Sequence, residues 1–280
     1  MPLAAFDQLA CPLDGVPLAQ DGQSWRCASG HNFDIARQGY VHLLPVQKKR
    51  SREPGDSKEM VAARRRFLET GGYEPVSDAV NRVVTAGLAV QPVWRILDAG
   101  SGEGYYTARL AEALSGQTEL QVLGLDISKW AVQSAAKRYK DLSWVVASNA
   151  NLPVLPEAVD ALLSLFGFPV YGEFARVLKP GGLLLQVDTG PDHLRELREI
   201  IYPELKPARA EQSTCPEGFR SLGAESVRYP LTVEGQDRIS DLLAMTPHGY
   251  RATEDGRRRA AELTGLTVTV DVTIRTFEKH

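Results

Sequence analysis

Between Ile96 and Thr107 the chain reads Ile-Leu-Asp-Ala-Gly-Ser-Gly-Glu-Gly-Tyr-Tyr-Thr, with glycines at positions 100, 102 and 104. The apolar run Val93–Leu97 ends in Asp98 and reads as a strand, and Tyr105–Leu114 has helical spacing. The glycines therefore stand at a strand-to-helix turn, where the missing Cβ atoms let the backbone approach a nucleotide-like ligand. A single Gly-x-Gly would fit an ordinary tight turn equally well, so the surroundings matter. Further strand-like runs cover Leu120–Leu125, Trp144–Ala147, Ala161–Leu165 and Leu183–Val187, with helical spacing at Lys129–Tyr139 and Glu173–Leu178. Such alternation predicts an α/β fold with a mostly parallel sheet and helices on both faces. Near the C-terminus Ser226–Val233 and Leu266–Phe277 are β-prone and flank a helix around Arg238–Leu243, which predicts an antiparallel edge.

Two carboxylates narrow the ligand. Asp126 ends the strand after the loop, where it can accept hydrogen bonds from both ribose hydroxyls, as a dinucleotide or S-adenosylmethionine would require. Asp98 lies just before the loop, where it would repel a pyrophosphate and attract a sulfonium and an ammonium. The spacing is also Gly-x-Gly-x-Gly rather than the dinucleotide Gly-x-Gly-x-x-Gly. Asn149, with Leu152, can meet an adenine, and Lys179-Pro180-Gly181-Gly182 forms a turn before the fifth strand. Together these residues resemble the class I Rossmann-like S-adenosylmethionine-dependent methyltransferases, with Asp98, Gly100, Gly102, Asp126, Asn149 and Leu152 as candidate cofactor contacts.

The 280 residues allow two ordinary domains, and 43% hydrophobic with 24% charged residues excludes global disorder or coiled coil. A net charge of -3 speaks against a surface that binds nucleic acid everywhere, but residues 37–66 carry a net +6 and the remainder -9. Three cysteines are too few for a disulfide framework, and no signal peptide or membrane-spanning run is recognisable, so a reducing cytoplasm is expected. Residues 1–45 read as a small loop-rich module. Its Cys11-x-x-Asp14 and Cys27-x-x-x-His31 have zinc-ribbon spacing, and the alternative is two cysteines acting as small buried hydrophobes with the metal lost. Residues 46–57 read as an exposed basic connector, and residues 58–280 as the methyltransferase domain. Asp56 or Ser57 caps the first helix of that domain, whose apolar stripe is Met60, Val61, Ala63, Phe67 and Leu68.

The run Cys-Pro-Leu-Asp-Gly at 11–15, Trp25 to Gln47 with Gly30-His31, Phe33-Asp34 and Gly39-Tyr40-Val41, then Lys49-Arg50-Ser51-Arg52, Pro54-Gly55-Asp56-Ser57 and Arg64-Arg65-x-Phe67-Leu68, closely resembles the bacterial 23S ribosomal RNA guanine-N1 methyltransferases. The likeness extends through Gly102 to Thr107, Gly190-Pro191-x-His193-Leu194 and Met245-Thr246-Pro247. It implies a zinc-binding RNA-recognition domain on a methyltransferase domain, S-adenosylmethionine as cofactor, 23S rRNA as partner and a homodimer. It places cofactor contacts on Tyr73, Gly102, Glu103 and His193, and zinc ligands on Cys11, Cys27 and His31, with Asp14 where the family has a second cysteine. Lys49–Ser57 resembles the Gram-negative branch that modifies guanine 745.

Several of these residues also have plain structural readings. Tyr73 could be a helix-end aromatic packed on the core, and His193 an exposed residue in the first turn of a helix. Tyr105 and Tyr106 read as helix packing, and Cys215 as a loop residue. Arg64, Arg65 and Arg66 cannot all face one way, so at most two of them reach phosphate. After the fourth strand, Phe166-Gly167-Phe168-Pro169 offers no polar group as a base. Phe166 and Phe168 are either core residues or substrate-stacking candidates, and the acceptor of the N1 proton is unassigned. Two other functions fit parts of the chain. A small-molecule methyltransferase has no use for the ribbon and connector, and an RNA-binding module without catalysis leaves the intact loop unexplained.

Overall fold

A computed structural model describes residues 3–48, 51–205 and 215–280, with Lys48 described in its backbone only. Five short strands come first: β1 (Leu3–Ala4), β2 (Leu18–Asp21), β3 (Ser24–Cys27), β4 (Asn32–Asp34) and β5 (Tyr40–His42). Helices α1 (Lys58–Leu68) and α2 (Glu74–Gly87) lead into the alternating region. That region comprises β6 (Val93–Ala99), α3 (Tyr105–Leu114), β7 (Glu119–Asp126), α4 (Lys129–Arg138), β8 (Ser143–Val146), β9 (Val159–Leu165), α5 (Tyr171–Val177) and β10 (Leu178–Thr189). The chain closes with α6 (Arg195–Ile201), β11 (Phe219–Glu234), α7 (Gln236–Ala244), α8 (His248–Arg251), α9 (Glu254–Ala261) and β12 (Gly265–Lys279).

The large sheet runs β11-β12-β10-β9-β6-β7-β8-β5. Its pairs from β10 through β5 are parallel, and β12 and β11 add antiparallel to β10, as the sequence predicts. Adjacent residues of a strand point to opposite faces, so each central strand feeds two cores. Ile96, Val122, Leu163 and Leu185 join the cluster that includes Val80, Leu110 and Leu197 from helices α2, α3 and α6. Leu97, Leu123, Leu162 and Leu184 join the cluster that includes Phe174 of α5 and Phe6 of the N-terminal segment. Every residue of β9 is buried, in keeping with its mostly apolar character, and its one charged residue, Asp160, is paired with Lys179 at 2.6 Å.

The N-terminal 45 residues are woven into this sheet. Strands β2, β3 and β4 form their own antiparallel sheet, but β1 pairs with the start of β7 and β5 with β8. Leu9 bridges Val154, and the Ala10 amide donates to the Pro153 carbonyl at 2.9 Å. The expected Lys179–Gly182 turn lies within β10 as an irregularity between Leu178 and Leu183, with Gly181 at φ +77°. Of the two expected caps for α1, Ser57 serves, its side chain accepting from the Met60 amide. The Asp56 carboxylate is turned to Arg64 instead.

Candidate functional site

The C-terminal ends of β6, β7 and β9 converge on one side of the sheet, where ligands of open α/β folds bind. The glycine loop is drawn across to β7 there: the Gly100 and Ser101 amides donate to the Leu125 carbonyl at 2.8 and 2.9 Å. Gly100, Gly102 and Gly104 hold φ of +99°, +58° and +89°, a region that side chains disfavour. Their surroundings differ. A Cβ on Gly104 would stand 2.6 Å from the Trp144 ring, so that glycine is required by packing, whereas one on Gly100 would meet nothing within 4 Å. The space beside Gly100 is open to a ligand.

Asp98 is buried, and its Oδ2 accepts from the Thr107 hydroxyl at 2.5 Å. Burial pushes this carboxyl up to about 7, the Thr107 bond opposes the rise, and the neighbouring Asp126 adds to it. Asp126 accepts from the Gly102 amide at 2.9 Å and from the Ser128 amide at 2.7 Å. Burial raises its pKa and those two backbone donors resist. Glu103 is also buried and raised by burial, with Arg138 opposing from 3.9 Å. Asp98 Oδ1, Ser101 Oγ, Glu103 Oε2 and the Tyr105 hydroxyl are buried without a hydrogen-bond partner. Four such atoms lie within eight residues, and a ligand that supplies donors and acceptors would give them partners. A cofactor with a ribose, an ammonium and a sulfonium fits that set.

The sequence-predicted contacts fall into distinct places. The Asn149 side-chain amide reaches the Ala99 carbonyl at 3.4 Å, at the rim of the loop. Leu152 lies in the core, its amide held by Glu173 at 2.8 Å. His193 is not exposed in the first turn of a helix: it is buried and precedes α6. Its Nδ1 accepts from the Asp271 amide at 3.2 Å, and its Nε2 lies 3.1 Å from the Tyr73 hydroxyl. Burial lowers its pKa to about 4, with Asp271 opposing, so the ring is neutral. With Nδ1 accepting, the proton sits on Nε2 and is donated to Tyr73. Tyr73 is likewise buried, with the Phe67 ring edge-on at 5.9 Å and a phenol pKa raised by burial.

Neither phenylalanine after β9 is a core residue. Phe166 is 39% exposed, holds the left-handed φ of +55°, and lies 6.1 Å from the Tyr106 ring and 6.4 Å from His193. Phe168 is 90% exposed. The three helix arginines all have protein partners. Arg64 meets the Asp56 carboxylate and the Met245 carbonyl, Arg65 meets Glu69, and Arg66 grips both carboxylate oxygens of Asp241. The Lys49 and Arg50 of the expected basic run lie outside the described residues, as does the Lys48 side chain. Cys215 is exposed in the loop before β11.

A second constellation lies in the N-terminal segment. Two reverse turns face each other: the Gly15 amide donates to the Cys11 carbonyl at 2.8 Å and the Gly30 amide to the Cys27 carbonyl at 3.0 Å. Positive φ at Gly15 and Gly30 makes these turns possible. They bring ligand atoms of Cys11, Asp14, Cys27 and His31 within 4.8 Å of one another. His31 Nδ1 is 3.4 Å from Cys11 Sγ, 3.3 Å from Cys27 Sγ and 3.1 Å from Asp14 Oδ2. A tetrahedral zinc with bonds of about 2.0–2.3 Å sets its donors roughly 3.3–3.8 Å apart. Donor type and spacing both fit zinc. Burial pushes the Cys11 thiol up to about 11.

Sequence reasoning missed Arg64, whose Nη1 lies 3.7 Å from where a Gly102 Cβ would stand. It also missed α2, whose Val76, Ala79, Val80 and Val84 have the spacing that could have revealed it. Comparison with known proteins places both parts of the chain among known families. A zinc-ribbon family model described as "RlmA, N-terminal" matches residues 9–52, and one described as "Methyltransferase domain" matches residues 96–182. A Bacillus subtilis (strain 168) protein, YxjB, named as a candidate 23S rRNA (guanine-N1)-methyltransferase, is 34% identical over 96% of both chains. The 23S rRNA (guanine(748)-N1)-methyltransferase of Streptomyces fradiae is 33% identical over 95% of this chain and 94% of its own. A Micromonospora griseorubida protein named as a candidate for the same guanine-N1 activity is 34% identical over 95% and 94%.

Proposed function

The chain belongs to the bacterial 23S rRNA (guanine-N1)-methyltransferase family, and from that premise we propose that it transfers the methyl group of S-adenosylmethionine to N1 of a guanine in a 23S rRNA stem-loop. The observation that carries the reading is the set of unpartnered atoms around the glycine loop, beside two aromatic rings left open after β9.

When bound, the sulfonium cofactor supplies an electrophilic methyl carbon. Asp126, already held by two amides, retains lone pairs for the ribose hydroxyls, and Asp98 and Glu103 offer acceptors to the ammonium. Tyr73 and His193, together with Gly100, Gly102 and Asn149, complete the cofactor side, while Leu152 acts from the core beneath the adenine. Phe166 and Phe168, exposed after β9, are the rings offered to the base. N1 is on the Watson–Crick edge, so the guanine must be unpaired or flipped, and ring stacking is the sequence-tolerant way to hold it. Catalysis is then mainly alignment for in-line displacement. His193 has both ring nitrogens engaged, which leaves it a positioning group rather than the acceptor of the N1 proton.

Residues 1–45 serve as the RNA-recognition module, with zinc held by Cys11, Asp14, Cys27 and His31; residues 46–57 are the connector and residues 58–280 the catalytic domain. For the nucleotide, the connector's resemblance supports guanine 745. The Streptomyces fradiae relative, named for guanine 748, supports a second reading. A homodimer is implied by the family resemblance, and the cytoplasm by the ribosomal substrate; no helix is long and apolar enough to cross a membrane among the described residues. The test is incubation with radiolabelled S-adenosylmethionine and 23S rRNA lacking the modification, followed by mapping of the label. Label at N1 of guanine 745 is expected, label at 748 selects the second reading, and unlabelled RNA overturns the function.

A further inference from the structure

Arg64 occupies a place that the conventional cofactor contacts do not account for. Its guanidinium lies over the glycine loop, with Nη1 3.7 Å from the position a Cβ on Gly102 would take. It is fixed there from two sides: Nη1 meets the Asp56 carboxylate, and Nη2 donates to the Met245 carbonyl at 2.9 Å. Asp56 is anchored in turn, its carbonyl accepting from the Ser128 hydroxyl at 2.7 Å. The chain before it is seated closely on the same place, since a Cβ on Gly55 would stand 2.8 Å from Ser128. Two contacts use two of the five guanidinium N–H groups, which leaves donors for a further acceptor.

The amino-acid end of S-adenosylmethionine is a zwitterion. Asp98 and Glu103 provide unpartnered acceptors suited to its ammonium, and both would repel its carboxylate. A carboxylate brought into this enclosed site needs a cation. Arg138 is held by Glu69 at 2.7 Å and faces Glu103, and Arg109 is held by Ser77 and Asp78. Arg64 alone of these three combines a fixed position over the loop with spare donors. We propose that Arg64 binds the carboxylate of the cofactor's amino-acid end, so that α1 supplies the cation and the glycine loop the acids for one zwitterion. Because the same side chain joins the connector at Asp56 to the end of α7 at Met245, loading the cofactor tightens the closure of these segments over the site. The proposal rests on S-adenosylmethionine being the cofactor.

The test separates the carboxylate from the rest of the ligand. S-adenosylhomocysteine and its decarboxylated analogue, which keeps the amine, are titrated calorimetrically against the wild-type chain, Arg64→Gln and Arg64→Lys, each checked for folding by circular dichroism. The wild type is expected to prefer S-adenosylhomocysteine by about tenfold or more, Arg64→Gln to lose nearly all of that preference, and Arg64→Lys to keep part of it. A preference unchanged in Arg64→Gln, or equal weakening of both ligands, would make Arg64 a strut and overturn the proposal. If Arg64→Gln does not fold, the Arg64→Lys ratio and the wild-type preference decide alone. Failure of the wild type to bind either ligand would instead remove the cofactor reading.

Discussion

The Tyr73 hydroxyl and His193 Nε2 meet at 3.1 Å across 120 residues of chain, in the interior beside the glycine loop. The Asp271 amide occupies the other ring nitrogen, so the tautomer is set by backbone and the Tyr73 oxygen becomes the acceptor. Tyr73→Phe keeps the ring against Phe67 but strands the buried Nε2–H. A loss of about 1–3 kcal/mol is expected by urea denaturation. An unchanged midpoint would contradict the assigned bond.

The same burial gives His193 a signature in pH. Its pKa falls from 6.5 in the unfolded chain to about 4 in the folded one. Between these values the unfolded state binds more protons, so the contribution is present above the unfolded pKa and lost as pH falls through about 4. The size is roughly 3 kcal/mol. Comparing the stability of the wild type and His193→Gln from pH 7 to pH 4 isolates it: the gap in pH slope should be steepest near pH 5 and 6. Parallel curves would mean an exposed, ordinary histidine.

Asp98 acts in the opposite direction. Its folded pKa of about 7 lies above the usual carboxylate value, so without a ligand it opposes folding increasingly as pH rises from 4 to 7. An ammonium beside Asp98, which S-adenosylmethionine and S-adenosylhomocysteine share, favours the ionised form. Affinity for S-adenosylhomocysteine should therefore rise with pH up to about 7 and binding should release protons below it, as titrations in buffers of different ionisation enthalpy would record. Asp98→Asn should bind more weakly and lose the slope.

On the proposed ligand set, a carboxylate in place of a thiolate should weaken zinc binding without abolishing it. We expect about one zinc per chain by elemental analysis of protein purified without added metal, slower loss to chelators in Asp14→Cys, and loss of the metal in Asp14→Ala. Zinc retention by Asp14→Ala would place the fourth ligand elsewhere.

Phe168 is so exposed that its removal should not disturb the fold. Phe168→Ala is expected to keep wild-type stability and S-adenosylhomocysteine affinity while methylating RNA about tenfold more slowly, the scale of one lost base stack. Normal methylation would exclude stacking by this ring.

Much of the fold was legible because local signals were strong: apolar runs ending in Asp98 and Asp126, and glycines at the first turn. The Cys11, Asp14, Cys27 and His31 set was equally legible, because reverse turns of fixed spacing place their ligands. Other assignments needed the packed molecule. For His193 the sequence offered a cofactor contact or an exposed residue of a helix, and the second reading fails because the antiparallel strand β12 covers the ring and brings in the Asp271 amide. The sequence read Phe166 and Phe168 with a core alternative, but both rings are exposed, Phe166 on a left-handed backbone.

By itself, then, the amino-acid order determined the strand–loop–helix unit, the charge of its ligand and the donor set of the ribbon, since each depends on neighbours within a few dozen residues. Tertiary structure alone decided that residues 1–45 contribute two strands to the large sheet, that Arg66 pairs with Asp241, and that Arg64 reaches Met245 and Gly102. Arg64 and Gly102 are 38 residues apart in the chain, and Arg66 and Asp241 are 175 apart. Only burial and strand pairing, absent from any local pattern, bring such groups together.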